Sequence, residues 1–223
     1  MEELVLNKIR FTLPEGFAAE GQRVLLHFGA VDQIADVYLN GKHVMHHIGG
    51  YLPFYEDVTD ALKAGENELK VSVQDTLSHI FPYGKQRKDR GGMWYTPVSG
   101  IWQTVWMEAV PEKRVETLKI TPDMKGIDIT VTASVKTCRV EVIGEGEWEI
   151  PANEAGRIDI AEPKLWSPDE PNLYEMKITA GDDCVESYFA LRKVEISEVN
   201  GKQRVLLNGK PVFWNGLLDQ GYW

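Results

Sequence analysis

Short runs rich in Val, Ile, Tyr and Trp alternate with turn residues through most of the chain, and apolar spacing of three and four is never sustained over three helical turns. The pattern predicts an all-β protein. Val24–Phe28 reads as a strand that bends near Gly29 and resumes at Ile34–Leu39. Asn40-Gly41, a pair suited to positive φ, then closes a tight hairpin that returns through Lys42-His43-Val44. Asn67–Val73 puts Leu69, Val71 and Val73 on one face and Lys70 and Ser72 on the other. Ile101–Ala109 reads as one strand, on which Trp102 and Trp106 share a face and are expected to fill the core. Asp57–Gly65 is the best short helix, with Thr59 or Asp60 to cap it and Gly65 to end it.

Val110-Pro111-Glu112-Lys113 interrupts the pattern, because proline cannot donate to a ladder and the stretch turns charged. A domain boundary is expected there, with residues 1–110 as a first sandwich and 111–196 as a second. In the second, Val115–Ile120, Ile127–Ser134, Cys138–Ile143, Arg157–Ile160, Leu173–Ala180 and Val185–Ile196 make about six strands at immunoglobulin-like spacing. Residues 197–223 carry a further hairpin, Arg204–Phe213, closed by Asn208-Gly209. They end on Trp214–Trp223, too apolar and aromatic for a relaxed terminus, and expected either to lack order or to associate with another molecule.

Twenty-four basic against thirty-four acidic residues give a net charge of −10, which argues against a nucleic-acid partner. The longest uncharged run, Gly91–Met107, holds Pro97 and three glycines, so no segment is expected to span a membrane. Met1-Glu2-Glu3-Leu4 is acidic where a secretory signal is basic, and a cytoplasmic location is the expectation. Cys138 and Cys184 form no CxxC motif and read as unpaired, buried thiols. His43, His46 and His47 have no carboxylate at ligand spacing and read as surface or packing histidines, so neither metal nor cofactor is expected.

The densest aromatic stretch is Gly91–Trp106. Flat ring faces bury the C–H faces of sugars while polar neighbours orient hydroxyls, and Trp94 and Tyr95, in a glycine-flanked loop, are the candidates for that contact. The basic run Lys85-Gln86-Arg87-Lys88-Asp89-Arg90 precedes them; it could attract an acidic sugar or a phosphate, against a default reading as a solvated loop. Glycoside hydrolysis needs two carboxylates on a rigid frame. Asn67-Glu68 resembles one such element only superficially, because it sits in a turn feeding a strand. From the residues alone, no convincing catalytic set is present.

Several stretches together resemble the non-catalytic front half of glycoside hydrolase family 2, the family of β-galactosidases, β-glucuronidases and β-mannosidases. Arg23–Asp32, Val37-Tyr38-Leu39-Asn40-Gly41, Gly49-Gly50-Tyr51-Leu52-Pro53-Phe54 and Ser99–Trp106 resemble its sugar-binding domain in order and spacing. Leu165-Trp166-Ser167-Pro168, Pro171-Asn172-Leu173-Tyr174 and Phe189–Lys193 resemble its immunoglobulin-like domain, and Phe213-Trp214-Asn215-Gly216 resembles the first strand of its catalytic (β/α)8 barrel. The resemblance implies a jelly-roll, galactose-binding-like β-sandwich lacking its first strands, followed by an immunoglobulin-like β-sandwich and a lead into an absent barrel.

It further implies that the retaining β-glycosidase acid/base and nucleophile lie outside this chain, which by itself is then no enzyme but supports the barrel and rims its sugar site. The implied carbohydrate-binding residues are Asp89, Arg90, Trp94, Tyr95, Asp219 and Gln220. The implied partners are a β-glycoside and the barrel, with open strand edges available for self-association. Two departures leave the sugar unidentified: Gly91-Gly92-Met93 stands where many relatives have an acidic residue, and Asp219-Gln220 where many have Arg-His. The competing classes are a free-standing carbohydrate-binding module and a structural adhesion sandwich.

Overall fold

The computed structural model describes residues 3–78, 80–82, 84–89 and 91–218, with side chains from Leu6 onward. Among these residues regular structure consists of strands and a single 3-10 turn, with no α-helix, as the alternating pattern predicts. The chain divides into two compact units. The first runs to Val110 and also takes in Leu217 and Leu218, and the second runs from Pro111 to Gly216.

The first unit contains β1 (Glu3–Thr12), β2 (Arg23–Phe28), β3 (Val31–Asp32), β4 (Ile34–Leu39), β5 (Lys42–Ile48), β6 (Phe54–Asp57), β7 (Glu66–Asp75), β8 (Gly100–Ile101) and β9 (Val105–Val110). They form a four-stranded sheet in the order β1-β7-β4-β5, a three-stranded sheet β6-β2-β9 and a short β3-β8 ladder. Alternation builds the core: Leu69, Val71 and Val73 on β7 and Ala35, Val37 and Leu39 on β4 pack with Val24, Leu26 and Phe28 on β2. The Asn40-Gly41 turn has φ of 52° and 83°, the left-handed pair a two-residue hairpin of this hand requires.

β1, which carries polar residues at many positions, pairs with the whole of β7, from Glu3 opposite Asp75 to Thr12 opposite Glu66. Lys8 Nζ meets Glu68 2.8 Å away and Arg10 reaches Glu66 and Glu68 at 3.6 Å. Glu68 is thus an ion-paired surface group.

Two expectations for this unit are corrected. Asp57–Gly65 is no helix of two turns but a 3-10 turn at Thr59–Ala61. The Asp57 carboxylate accepts from both the amide and hydroxyl of Thr59, and the Thr59 hydroxyl in turn accepts from the Val24 amide. The segment is therefore bound to β2, and strand β7 starts before a second turn can form. Ile101–Ala109 is likewise broken, because residues 102–104 fold over Gly29, whose amide donates to the Thr104 carbonyl at 2.8 Å. A β-carbon at Gly29 would lie 2.7 Å from that of Gln103, so glycine is what permits the approach. With the strand interrupted, Trp102 and Trp106 do not share a core face. Trp106 is 41% exposed and stacks on His27 at 4.7 Å, while Trp102 Nε1 donates to the Gly50 carbonyl at 2.7 Å.

The second unit contains β10 (Val115–Pro122), β11 (Gly126–Ala133), β12 (Thr137–Val142), β13 (Gly146–Pro151), β14 (Ala155–Asp159), β15 (Tyr174–Ala180) and β16 (Asp183–Phe189), followed by β17 (Val194–Val199), β18 (Lys202–Leu207) and β19 (Lys210–Pro211). Sheets β10-β11-β14 and β13-β12-β15-β16 enclose Ile127, Ile129, Val140, Met176, Ile178 and Leu191. β13 escapes the sequence reading, and the run Val185–Ile196 is two strands rather than one. At the break, Leu191 bridges to Leu165 and its carbonyl accepts from the Trp166 amide at 2.8 Å. Residues 212–218, expected to start a barrel strand, form neither strand nor helix; among the described residues they have no partner strand to supply ladder hydrogen bonds.

Arg157 gathers Asp123, Asp128 and Asp159 at the β11–β14 end of this unit. The Arg157 hydrogen bond, with the Lys125 and Gly126 amides, holds the Asp123 carboxyl down to about 2.

Cys138 is 1% exposed on β12, whereas Cys184 lies on the solvent side of β16; only the first matches the expectation of a buried thiol. β15 stands between their strands, so the two backbones are about 10 Å apart, too far for a disulfide. Burial also pushes the Cys138 thiol up. A water-soluble thiol reagent is accordingly expected to consume one equivalent in the folded chain and a second only in denaturant. Immediate labelling of both sulfurs in the native state would contradict this packing.

Candidate functional site

The connection from β7 to β8, residues 76–99, is long for a sandwich loop, the kind of segment that usually has a job of its own. Its two ends are stapled by one buried carboxylate. Asp75 Oδ1 accepts from the Leu77 amide at 2.9 Å and Oδ2 from the Ser99 hydroxyl at 3.1 Å. Inside the loop, Gln86 is 2% exposed and its Oε1 accepts from the Val98 amide. On either side of Gln86 the backbone joins Tyr95, whose amide donates to the Lys85 carbonyl at 2.8 Å and whose carbonyl accepts from the Arg87 amide at 3.3 Å. Gly92, at φ 59°, makes the turn in which the Trp94 amide reaches the Gly91 carbonyl. The loop is thus held by its own hydrogen bonds.

Trp94 and Tyr95 lie in this loop, Trp94 half-buried and Tyr95 exposed. Asp89 lies exposed in the same loop. Arg90, Asp219 and Gln220 lie outside the described residues. Sequence reasoning placed Arg87 in a basic run but not over the indole, where its guanidinium sits 5.6 Å from the centre of the Trp94 ring, a cation–π distance. It also missed Asp75 as the staple. The signal for Asp75 was an acid that continues the inward series Leu69, Val71 and Val73 on the same strand face.

Neighbouring loops converge on this end of the unit. Asp32 on β3 pairs with Gly100 on β8, directly after Ser99. The Trp102 indole binds Gly50, and Tyr51 lies edge-on to it at 6.2 Å. A β-carbon at Gly50 would stand 2.7 Å from Asp32 Oδ1, so the turn closes tightly over this acid. Tyr51 and Leu52 are exposed in the turn over Asp32, as are Met93 and Tyr95 in the long loop, side chains of the kind that cover the apolar faces of saccharides.

The histidines sit elsewhere in the unit. A register shift in the β4–β5 hairpin puts His43 and His46 on one face, with His43 Nε2 and His46 Nδ1 each 2.9 Å from Asp36 Oδ1. Linear spacing hid that carboxylate. Even so, no three His, Cys, Asp or Glu side chains among the described residues are arranged to hold a metal ion. His47 instead packs flat on Phe54 at 3.9 Å.

Four carboxyls, Asp36, Asp57, Glu68 and Asp123, move down from their ordinary range. His46 and His43 lower Asp36, Lys8 lowers Glu68, Arg157 lowers Asp123, and Arg23 and Thr59 lower Asp57 against the opposing pull of burial. A glycosidase acid requires the opposite, a carboxyl kept protonated near neutrality.

Residues 3–111 match the family model described as glycosyl hydrolases family 2, sugar binding domain, and residues 113–192 match a second model of glycosyl hydrolases family 2. The chain is 28% identical over 223 residues to the beta-galactosidase of Thermoanaerobacter pseudethanolicus, a match covering 89% of this chain and 29% of that protein. Among solved structures, the beta-glucuronidase of an uncultured Clostridium species is 29% identical with a TM-score of 0.73, covering 93% of this chain and 37% of that one. The beta-D-glucuronidase of Dictyoglomus thermophilum shares the fold with a TM-score of 0.77 at 22% identity, over 96% of this chain and 40% of that one. The chain therefore spans well under half the length of the relatives it matches. Matched in order along most of its length by these two models, it belongs to glycosyl hydrolases family 2.

Proposed function

We propose that this chain acts as the non-catalytic front portion of a retaining β-glycosidase, with the 76–99 loop at the edge of the sugar site. The observation that carries the reading is the ordered pair of family matches on a chain that spans under a third of a β-galactosidase. The loop supports it independently, being long, internally bonded and rimmed by exposed aromatic side chains. Its Trp94, Tyr95 and Asp89 are the proposed sugar-facing residues, with Arg90, Asp219 and Gln220 as further candidates. Bond cleavage belongs to carboxylates this chain does not supply, consistent with the downward shifts of Asp36, Asp57, Glu68 and Asp123.

The 223-residue chain is accordingly expected to leave aryl β-galactoside and aryl β-glucuronide at the buffer background of hydrolysis. Release of aryl alcohol that follows the polypeptide through purification, and disappears when one of its carboxylates is replaced, would overturn the assignment.

A further inference from the structure

The Arg87 guanidinium lies over the Trp94 ring, its central carbon 5.6 Å from the ring centre. Contact with an aromatic ring consumes none of the five guanidinium N–H donors, which stay available to an acceptor. The backbone around it is fixed: buried Gln86 points inward, and alternation in the Tyr95-bonded segment sends the Arg87 side chain outward, where it is exposed. Arg10, Arg23, Arg139 and Arg157 each meet a carboxylate, whereas Arg114, Arg192 and Arg204, like Arg87, meet none among the described residues, and Arg192 lies over Trp166 at 5.2 Å. Among the described residues no carboxylate pairs with Arg87 or with its exposed neighbour Lys88, although the chain as a whole carries a charge of −10. Two cations without an ion-pair partner among the described residues thus stand together, followed by exposed Asp89, on the loop that also presents Tyr95.

We propose that Arg87, with Lys88 beside it, forms a subsite for an anionic group borne on a saccharide, either the carboxylate of a uronic acid or a sulfate ester. The inference rests on the reading that this loop faces the sugar, and it adds the charge class of the ligand. Both oxyanions offer the paired oxygens that the guanidinium fork binds with two parallel hydrogen bonds, at about twice the strength of a neutral contact. Tyr95 then covers the apolar face of the ring. Besides its proposed place toward the sugar, Trp94 restricts Arg87 before the ligand arrives and so reduces the ordering cost of binding. In an acidic protein this local positive field also selects where an anionic glycan can approach.

Isotope-labelled chain titrated with methyl β-D-glucuronide, methyl β-D-glucoside 6-sulfate, methyl β-D-glucoside and sodium sulfate separates the possibilities by amide and arginine side-chain NMR shifts. Either charged sugar is expected to move the signals of residues 85–95 with at least about tenfold higher affinity than the neutral glucoside, and the two charged probes distinguish carboxylate from sulfate. Arg87→Gln should remove that preference, bringing the charged sugars down to the affinity of the neutral glucoside. Trp94→Leu should weaken the charged sugars by roughly threefold to tenfold with the signals of the second unit unmoved. Equal affinity for charged and neutral sugars would overturn the anion subsite and leave the sugar-facing loop standing. Loop signals that respond to none of the three glycosides would overturn both. Inorganic sulfate binding as tightly as the sugar sulfate would overturn the saccharide requirement.

Discussion

A Gly126→Ala chain is expected to lose about 3 kcal/mol from its second unit, at the top of the range for overpacking because the obstacle is main chain rather than a yielding side chain. A β-carbon there would be driven into the Ile158 carbonyl oxygen and would stand 2.9 Å from Asp159 Cα. Gly126 is opposite Asp159 in the β11–β14 ladder. It also closes the Asp123 turn, its amide donating to Asp123 Oδ1 at 2.9 Å and its carbonyl accepting from the Asp123 amide. The methyl group therefore displaces a strand pair and loosens the turn that presents Asp123 to Arg157. For a unit of this size the melting temperature should fall by roughly 12–24 °C. The two compact units need not melt together, so the shift should be followed by signals from the second unit. A melting temperature unchanged to within about 2 °C would mean that the ladder parts at Gly126 without cost.

Asn67→Ala should be nearly as damaging in the first unit, by about 3 kcal/mol. The side chain is 1% exposed and uses both ends of its amide. Oδ1 accepts from Asn40 Nδ2 at 2.8 Å and from the Lys63 amide at 3.0 Å, while Nδ2 donates to the Lys63 and Gly65 carbonyls, both at 3.0 Å. Alanine leaves those groups without their partner in a place water reaches poorly. Asn40, whose Oδ1 accepts from the Glu68 amide and whose Nδ2 also donates to the Ala61 carbonyl, belongs to the same network. Losses from Asn40→Ala and Asn67→Ala should therefore be less than additive in a double variant. Urea unfolding measures both; a cost below about 1 kcal/mol for Asn67→Ala would show that the network contributes little.

The parts of this fold legible in the sequence are those in which a strand buries one face by itself. Leu69-Val71-Val73 and Asn40-Gly41 announce β7 and the β4–β5 turn without help from the rest of the chain. β13 was hidden because Gly146-Glu147-Trp148-Glu149-Ile150-Pro151 is polar at alternate places and only Ile150 is deeply buried. β1 was hidden for a related reason: Lys8 and Arg10 make sense only against Glu66 and Glu68 across the ladder, information held by a different stretch of chain. The Trp102/Trp106 spacing misled because it presumed a continuous strand, and the approach at Gly29 that breaks it is not a property of spacing. At the site, glycine-flanked Trp94 and Tyr95 and the basic run were each readable. Their mutual arrangement was not, because it depends on Gln86 turning inward and bringing Arg87 onto the indole.

The three left-handed Asn-Gly turns also set an uneven chemical lifetime along the chain. An asparagine followed by glycine is the pair most open to attack by the next backbone nitrogen on the side-chain amide, with loss of ammonia and conversion to aspartate or its isomer. At Asn40-Gly41 and Asn208-Gly209 that amide is anchored: Asn40 is held by Ala61, Asn67 and Glu68, and Asn208 by Lys193 and Trp166. Asn200-Gly201, at φ of 54° and 75°, caps the exposed β17–β18 hairpin, and none of the side-chain hydrogen bonds among the described residues holds its amide. Among these three turns, ageing of the stored protein would therefore begin at Asn200, adding negative charge to a hairpin tip while both sandwich cores stay intact; exposed Asn215-Gly216, which stands outside any hairpin, is open in the same way.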